Sequence, residues 1–168
     1  MVGTAGETVS TALPALPALE SQDRVSPSSR SIDGGRNQEE PMADAHELEI
    51  RVRYQETDGQ RRVHHANFLT YFEMGRTEML RAHGHTYRAF EDAGLFMVVS
   101  EARCQYLAPA EYDDLLLLRT RVEKVGAAHI KHAYEVIRDG RIIVTGSTTV
   151  VCVDPEGRVR RLPDWMLA

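Results

Sequence analysis

Once past a single long amphipathic helix, the chain is given over to strands that read as antiparallel and in hairpin succession. Phe96–Leu107, Leu115–Val125, His129–Arg138 and Arg141–Val153 each read as a strand, and Pro109–Asp114 reads as a turn between the first two. Asp139-Gly140 joins the last pair with the strongest short hairpin signal, because both residue types accept the positive φ of a tight turn. Ahead of the helix lies one more strand, Glu47–Tyr54, in which Leu48, Ile50, Val52 and Tyr54 alternate with Glu49, Arg51 and Arg53. A strand, a long helix and four strands in hairpin succession define an α+β fold, an antiparallel sheet wrapped around one central helix.

The helix is expected over Phe68–His83, beginning near Ala66 or Asn67, with Asn67 as N-cap and Gly84 as its end. Phe68, Phe72, Gly75, Met79 and Ala82 fall on one face at helical spacing. Glycine on a buried helical face costs about 1 kcal/mol against alanine, so Gly75 implies close approach to another backbone. His85–Ala93 reads as a short second helix stopped by Gly94. The tail from Val159 is expected to pack Leu162 and Trp165 against the body. A single sheet leaves an exposed edge strand, and homodimerisation through that edge is the economical cover.

Residues 1–41 hold no aromatic side chain and four of the seven prolines, Pro14, Pro17, Pro27 and Pro41. Such a segment buries too little apolar surface to offset its ordering entropy. Residues 1–43 are therefore expected to be a disordered extension, ahead of a domain spanning 44–168; Met42 is an alternative start of translation. A net charge of −5 argues against a nucleic-acid partner held by a basic surface. The best candidate for a membrane span, Ile142–Val153, is short and interrupted by Thr, Gly and Ser. Cys104 and Cys152 lie within strand-like runs, without metal-ligand spacing, and read as buried reduced thiols. No nucleic-acid or membrane partner is expected, and a reducing cytoplasm fits best.

Chemistry concentrates between the first strand and the long helix. There Asp58, in the turn Thr57-Asp58-Gly59, is followed by His64, His65 and the helix start. A helix N-terminus presents unpaired N–H groups and a partial positive charge, which can polarise a carbonyl. A carboxylate just upstream can activate water or attack directly. The pair His64-His65 lacks the spacing of a zinc site, and this chemistry requires no metal or other cofactor.

These residues carry a family resemblance. Tyr54-x-x-Thr-Asp58, Val63-x-His65-Ala-Asn67-Phe68, Tyr71-Phe72-Glu73 and Arg76-Thr-Glu78 resemble the hotdog-fold acyl-CoA thioesterases, in the 4-hydroxybenzoyl-CoA thioesterase and YbgC-like branch. Tyr106-x-x-Pro109-Ala, Tyr112-Asp113-Asp114 and Gly146-Ser-Thr extend the likeness, which covers roughly residues 47–163. It implies a hotdog fold, a homodimer or dimer of dimers, and an acyl-CoA substrate bound between subunits. It also implies roles: Asp58 as nucleophile or base for water, the His65 backbone N–H as carbonyl polariser, and the His65 side chain and Tyr54 as further active-site groups. Val63, His64, Asn67, Glu73 and Arg61 are the candidate substrate contacts. Some hotdog thioesterases use a helical glutamate in place of the aspartate, but Glu73 and Arg76 are also spaced for an i, i+3 ion pair. Arg103, Arg119 and Arg121 alternate on strands and read as a solvated face.

One departure stands out. The family typically carries glycine three residues after the aspartate, where this chain has Arg61. Either Gly59 takes over the glycine's role or the loop follows another path; Arg61 is then placed to reach a CoA phosphate or to crowd the acyl pocket. A catalytically silent acyl-CoA-binding protein is the competing reading, and Arg61 is its best support.

Overall fold

The computed structural model describes residues 45–167, so the extension expected over residues 1–43 lies outside the described part. The element order is β1 (His46–Arg51), α1 (Asn67–Ala82), α2 (Tyr87–Asp92), β2 (Phe96–Tyr106), β3 (Leu115–Val125), β4 (His129–Arg138) and β5 (Arg141–Val153). Single 3-10 turns at Tyr54–Glu56 and Asp164–Met166 complete it. The strands form one antiparallel sheet in the order β1-β3-β4-β5-β2. The expected hairpin succession holds only for β3-β4-β5: β2 does not pair with β3 but crosses to the far side and pairs with β5, because β1 occupies the other edge of β3. The two strands flanking the helices thus occupy opposite edges, and β2 presents one unpaired side. No helix among the described residues is long and apolar enough to cross a membrane.

α1 lies on the inner sheet face because that is where both apolar patterns can be buried together. Phe68, Tyr71 and Phe72 are buried in one cluster with Leu116, Leu118, Tyr134, Val136 and Val144, and Met79 is buried as well. Phe72 stacks on Tyr134 with ring centroids 4.3 Å apart. The close approach expected at Gly75 is present: a Cβ there would fall 2.3 Å from Thr120 Oγ1 and 2.7 Å from Leu118 Cδ2. Gly84, at φ +82°, turns the chain out of the helix. The tail packs as expected, with Leu162 buried and Trp165 stacked on His85 at 3.5 Å. On the outer face Arg119 and Arg121 pair with Glu135 at 3.1 and 3.3 Å, a solvated charge ladder. Cys104 and Cys152 are both unbridged.

Three local expectations are corrected. β1 ends at Arg51 rather than Tyr54, because the chain folds into the Tyr54–Glu56 turn around a buried carboxylate. Asn67 is the first helical residue rather than the cap, which is Ala66, and its side chain bonds elsewhere. Ala82 is exposed, since the last turn of α1 runs off the sheet, whereas Arg76 is buried.

Arg76 belongs to a polar layer that separates two apolar clusters of the core. Thr120, His132 and Thr148 share that layer, and all are buried. The Tyr134 and Thr148 hydroxyls lie 2.6 Å apart. Burial, with the neighbouring Arg76 charge, pushes His132 down to about 4, so it is neutral at pH 7.

Candidate active site

The segment joining β1 to α1 is a miniature antiparallel hairpin. Thr57 bridges to Val63. The Asp58 N–H donates to Arg62 O at 2.9 Å and the His64 N–H to Glu56 O at 2.8 Å. At the tip, the Arg61 N–H donates to Asp58 O at 2.9 Å and the Gln60 N–H to Asp58 Oδ1 at 2.8 Å. Asp58 is half-buried, with one carboxylate oxygen closing the turn. Its other oxygen makes no hydrogen bond among the described residues and is available for chemistry.

The backbone resolves the question raised by the missing glycine. Arg61 itself adopts φ +61°, the left-handed conformation that favours glycine. Gly59 is not left-handed, so the conformation that favours glycine falls at position 61, on an exposed arginine.

Glu56 was not identified from the sequence. It is 5 % exposed and sits beneath the hairpin. Its carboxylate accepts the Arg53 N–H at 2.7 Å, the Arg53 guanidinium at 2.7 and 2.9 Å, and the Tyr71 hydroxyl at 2.9 Å. Burial opposes its ionisation, but these donors outweigh burial and hold it below the usual carboxylate range. Burial and the Glu56 charge push Tyr71 far up in turn, so its hydroxyl stays a donor. The Glu56 carbonyl also accepts Asn67 Nδ2 at 2.7 Å, tying the turn to the first residue of α1. The only trace of this in the sequence is the i, i+3 spacing of Arg53 and Glu56.

His65 stands where the hairpin meets the helix. The Asn67 N–H donates to His64 O at 2.9 Å, which fixes the peptide plane carrying the His65 N–H. That N–H donates to no protein acceptor among the described residues. The Ala66 N–H is taken by His64 Nδ1 at 3.3 Å, and the two imidazoles lie 4.2 Å apart. On the other side, the Tyr106 hydroxyl donates to His65 O at 3.1 Å.

Asp58, Arg61, Val63, His64, His65 and Asn67 are thus held together in one hairpin and helix start, although Val63 is 6 % exposed and packs in the apolar core. Glu73 lies further along α1, turned to solvent and paired with Arg76 at 3.0 Å. Tyr54 is 77 % exposed and packs edge-on against Tyr112, with ring centroids 5.6 Å apart. The assembled features are an open carboxylate oxygen and an unclaimed N–H at a helix N-terminus.

Comparison with known proteins places the chain in a family. Residues 52–168 match the Thioesterase-like superfamily. The acyl-CoA thioester hydrolase YbgC of Escherichia coli is 31% identical over 121 residues, covering 71% of this chain and 90% of that protein. The acyl-CoA thioesterase YbgC of Haemophilus influenzae is 35% identical over 106 residues, covering 62% of this chain and 78% of that protein. The crystal structure of the DHNA-CoA thioesterase of Staphylococcus aureus superposes with a TM-score of 0.70 at 28% identity, covering 72% of this chain and 85% of that one. In sequence and in architecture, the chain belongs to the Thioesterase-like superfamily and has the hotdog fold.

Proposed function

We propose that this protein is an acyl-CoA thioesterase, hydrolysing the thioester to a carboxylic acid and CoA-SH. The observation that carries the reading is the conjunction in one hairpin of the Asp58 oxygen and the unclaimed His65 N–H at the start of α1. The thioester carbonyl accepts that N–H and sits at the positive end of the helix. Water adds to the carbonyl carbon as Asp58 takes its proton. The oxyanion collapses, the C–S bond breaks, and Asp58 returns the proton to the departing thiolate. The His65 imidazole and Tyr54 border the reacting group. His64 and Asn67 shape its surroundings, the buried Val63 anchors the hairpin that carries them, and Arg61, exposed at the hairpin tip, contacts a CoA phosphate.

The substrate site is completed by a second copy of the chain. Supporting this, β2 is an unpaired edge on which Val98, Val99 and Tyr106 are exposed, and Leu69 and Met74 of α1 are exposed as well. Light scattering then gives a dimer or tetramer mass.

Thiol release, followed with a disulfide dye across aryl, short-chain and long-chain acyl-CoA, tests the reaction. Turnover of at least one class is expected. Absence of turnover, with CoA ligands still raising the melting temperature, sinks the hydrolase and leaves the silent binder.

A further inference from the structure

We infer that Tyr106 is a positioning residue for the carbonyl-polarising N–H, resting on the functional reading above and reaching it from the edge strand. Polarisation by a backbone N–H is effective only if the donor is held in place before charge develops. The His65 N–H belongs to the peptide joining His64 and His65, and that plane is pinned by the Asn67 N–H on His64 O at 2.9 Å. The peptide after His65 is pinned from outside the loop, by the Tyr106 hydroxyl on His65 O at 3.1 Å. With both flanking planes fixed, residue 65 cannot rotate its N–H away without breaking a hydrogen bond.

The tyrosine is itself held in place. Its ring meets His65 edge-on at 6.4 Å and Phe68 at 5.7 Å. Tyr106 is the last residue of β2, paired with Val144 of β5. Its hydroxyl therefore inherits the rigidity of the sheet rather than that of the loop. Although the residue is half exposed, partial desolvation of its hydroxyl, with help from Cys104, pushes it up to about 12, so it remains protonated and donating through the physiological range. Because β2 is also the open edge, strand pairing between two copies would act on the site through this residue.

Tyr106→Phe keeps both ring contacts and removes only the hydroxyl. Expected are a fall in kcat of about tenfold, smaller than the loss of an oxyanion donor itself because the pin acts one bond removed, a KM within twofold, and an unchanged melting temperature. The second readout is the infrared carbonyl stretch of acyl-CoA bound to an Asp58→Asn background, where the thioester persists. The stretch should shift down on binding and shift less when Tyr106→Phe is added. Wild type that turns over, with Tyr106→Phe matching it in kcat and in carbonyl frequency, overturns the assignment alone. Wild type without turnover, together with no carbonyl shift on binding to Asp58→Asn, overturns the functional reading and the assignment with it.

Discussion

Replacing Arg61 by glycine removes a charged side chain beside the proposed site and should nonetheless stabilise the protein. The backbone at Arg61 is left-handed, at φ +61°. For a residue with a Cβ that conformation costs roughly 1–2 kcal/mol. Glycine abolishes the cost but gives back about 0.5–1 kcal/mol through the greater freedom of the unfolded chain. The net expectation is a gain of about 0.5–1 kcal/mol, or a rise of about 2–5 °C in the midpoint of thermal unfolding. Arg61→Ala is the control, since it discards the guanidinium and keeps the Cβ; it should stay within about 0.5 kcal/mol of wild type. Urea or thermal unfolding of the three proteins decides the matter. Equal stabilisation by alanine and glycine would assign the effect to charge and refute the backbone argument, as would a destabilised glycine variant. The same pair reports on ligand contact. If Arg61 meets a CoA phosphate, both variants raise KM for acyl-CoA alike, although only one changes stability.

Glu56→Gln preserves shape but removes the charge that the Arg53 guanidinium and the Tyr71 hydroxyl address, so it should cost about 2 kcal/mol in urea unfolding and lower thiol release several-fold by loosening the hairpin beneath Asp58. Because Glu56 is held below the carboxylate range in the fold, its contribution is present above the ordinary carboxylate pKa and disappears as pH falls through the folded value. His132 titrates at about 4 in the fold against 6.5 when unfolded, so between those values the unfolded chain binds a proton that the folded one excludes. Stability should therefore fall by about 2 kcal/mol from pH 7 to pH 5. His132→Gln should flatten that slope, and a slope unchanged by the substitution would count against burial as its cause.

Much of the fold is legible because its signals are local. Period-two alternation and the Asp139-Gly140 turn mark the strands, and Gly75 announces the close approach of α1 to Thr120 and Leu118. Asp58 and the His64-His65 pair are legible as a motif, and the structure holds them in one hairpin. Contacts between residues distant in the chain were less visible. Glu56 looks like a polar turn residue, and only its meeting with Tyr71 explains its burial. Arg76 carries a helix-surface spacing toward Glu73, yet it is buried with its charge beside Tyr134 and His132, in a polar layer that no periodicity encodes. Tyr54 continues the alternation of β1, but the turn built on Glu56 swings it out against Tyr112. Tyr106 reads as an ordinary strand residue until the sheet order brings the end of β2 to the start of α1.

The most direct test of the central claim is thiol release by Asp58→Asn, measured on the best acyl-CoA found for the wild type. The substitution keeps the size of the side chain and an oxygen for the Gln60 N–H, so the melting temperature and CoA binding should be retained. Turnover should fall at least a hundredfold, as general base catalysis of this kind contributes about 10²–10⁴. A variant that folds, binds CoA and still hydrolyses within a few-fold of wild type would contradict the account.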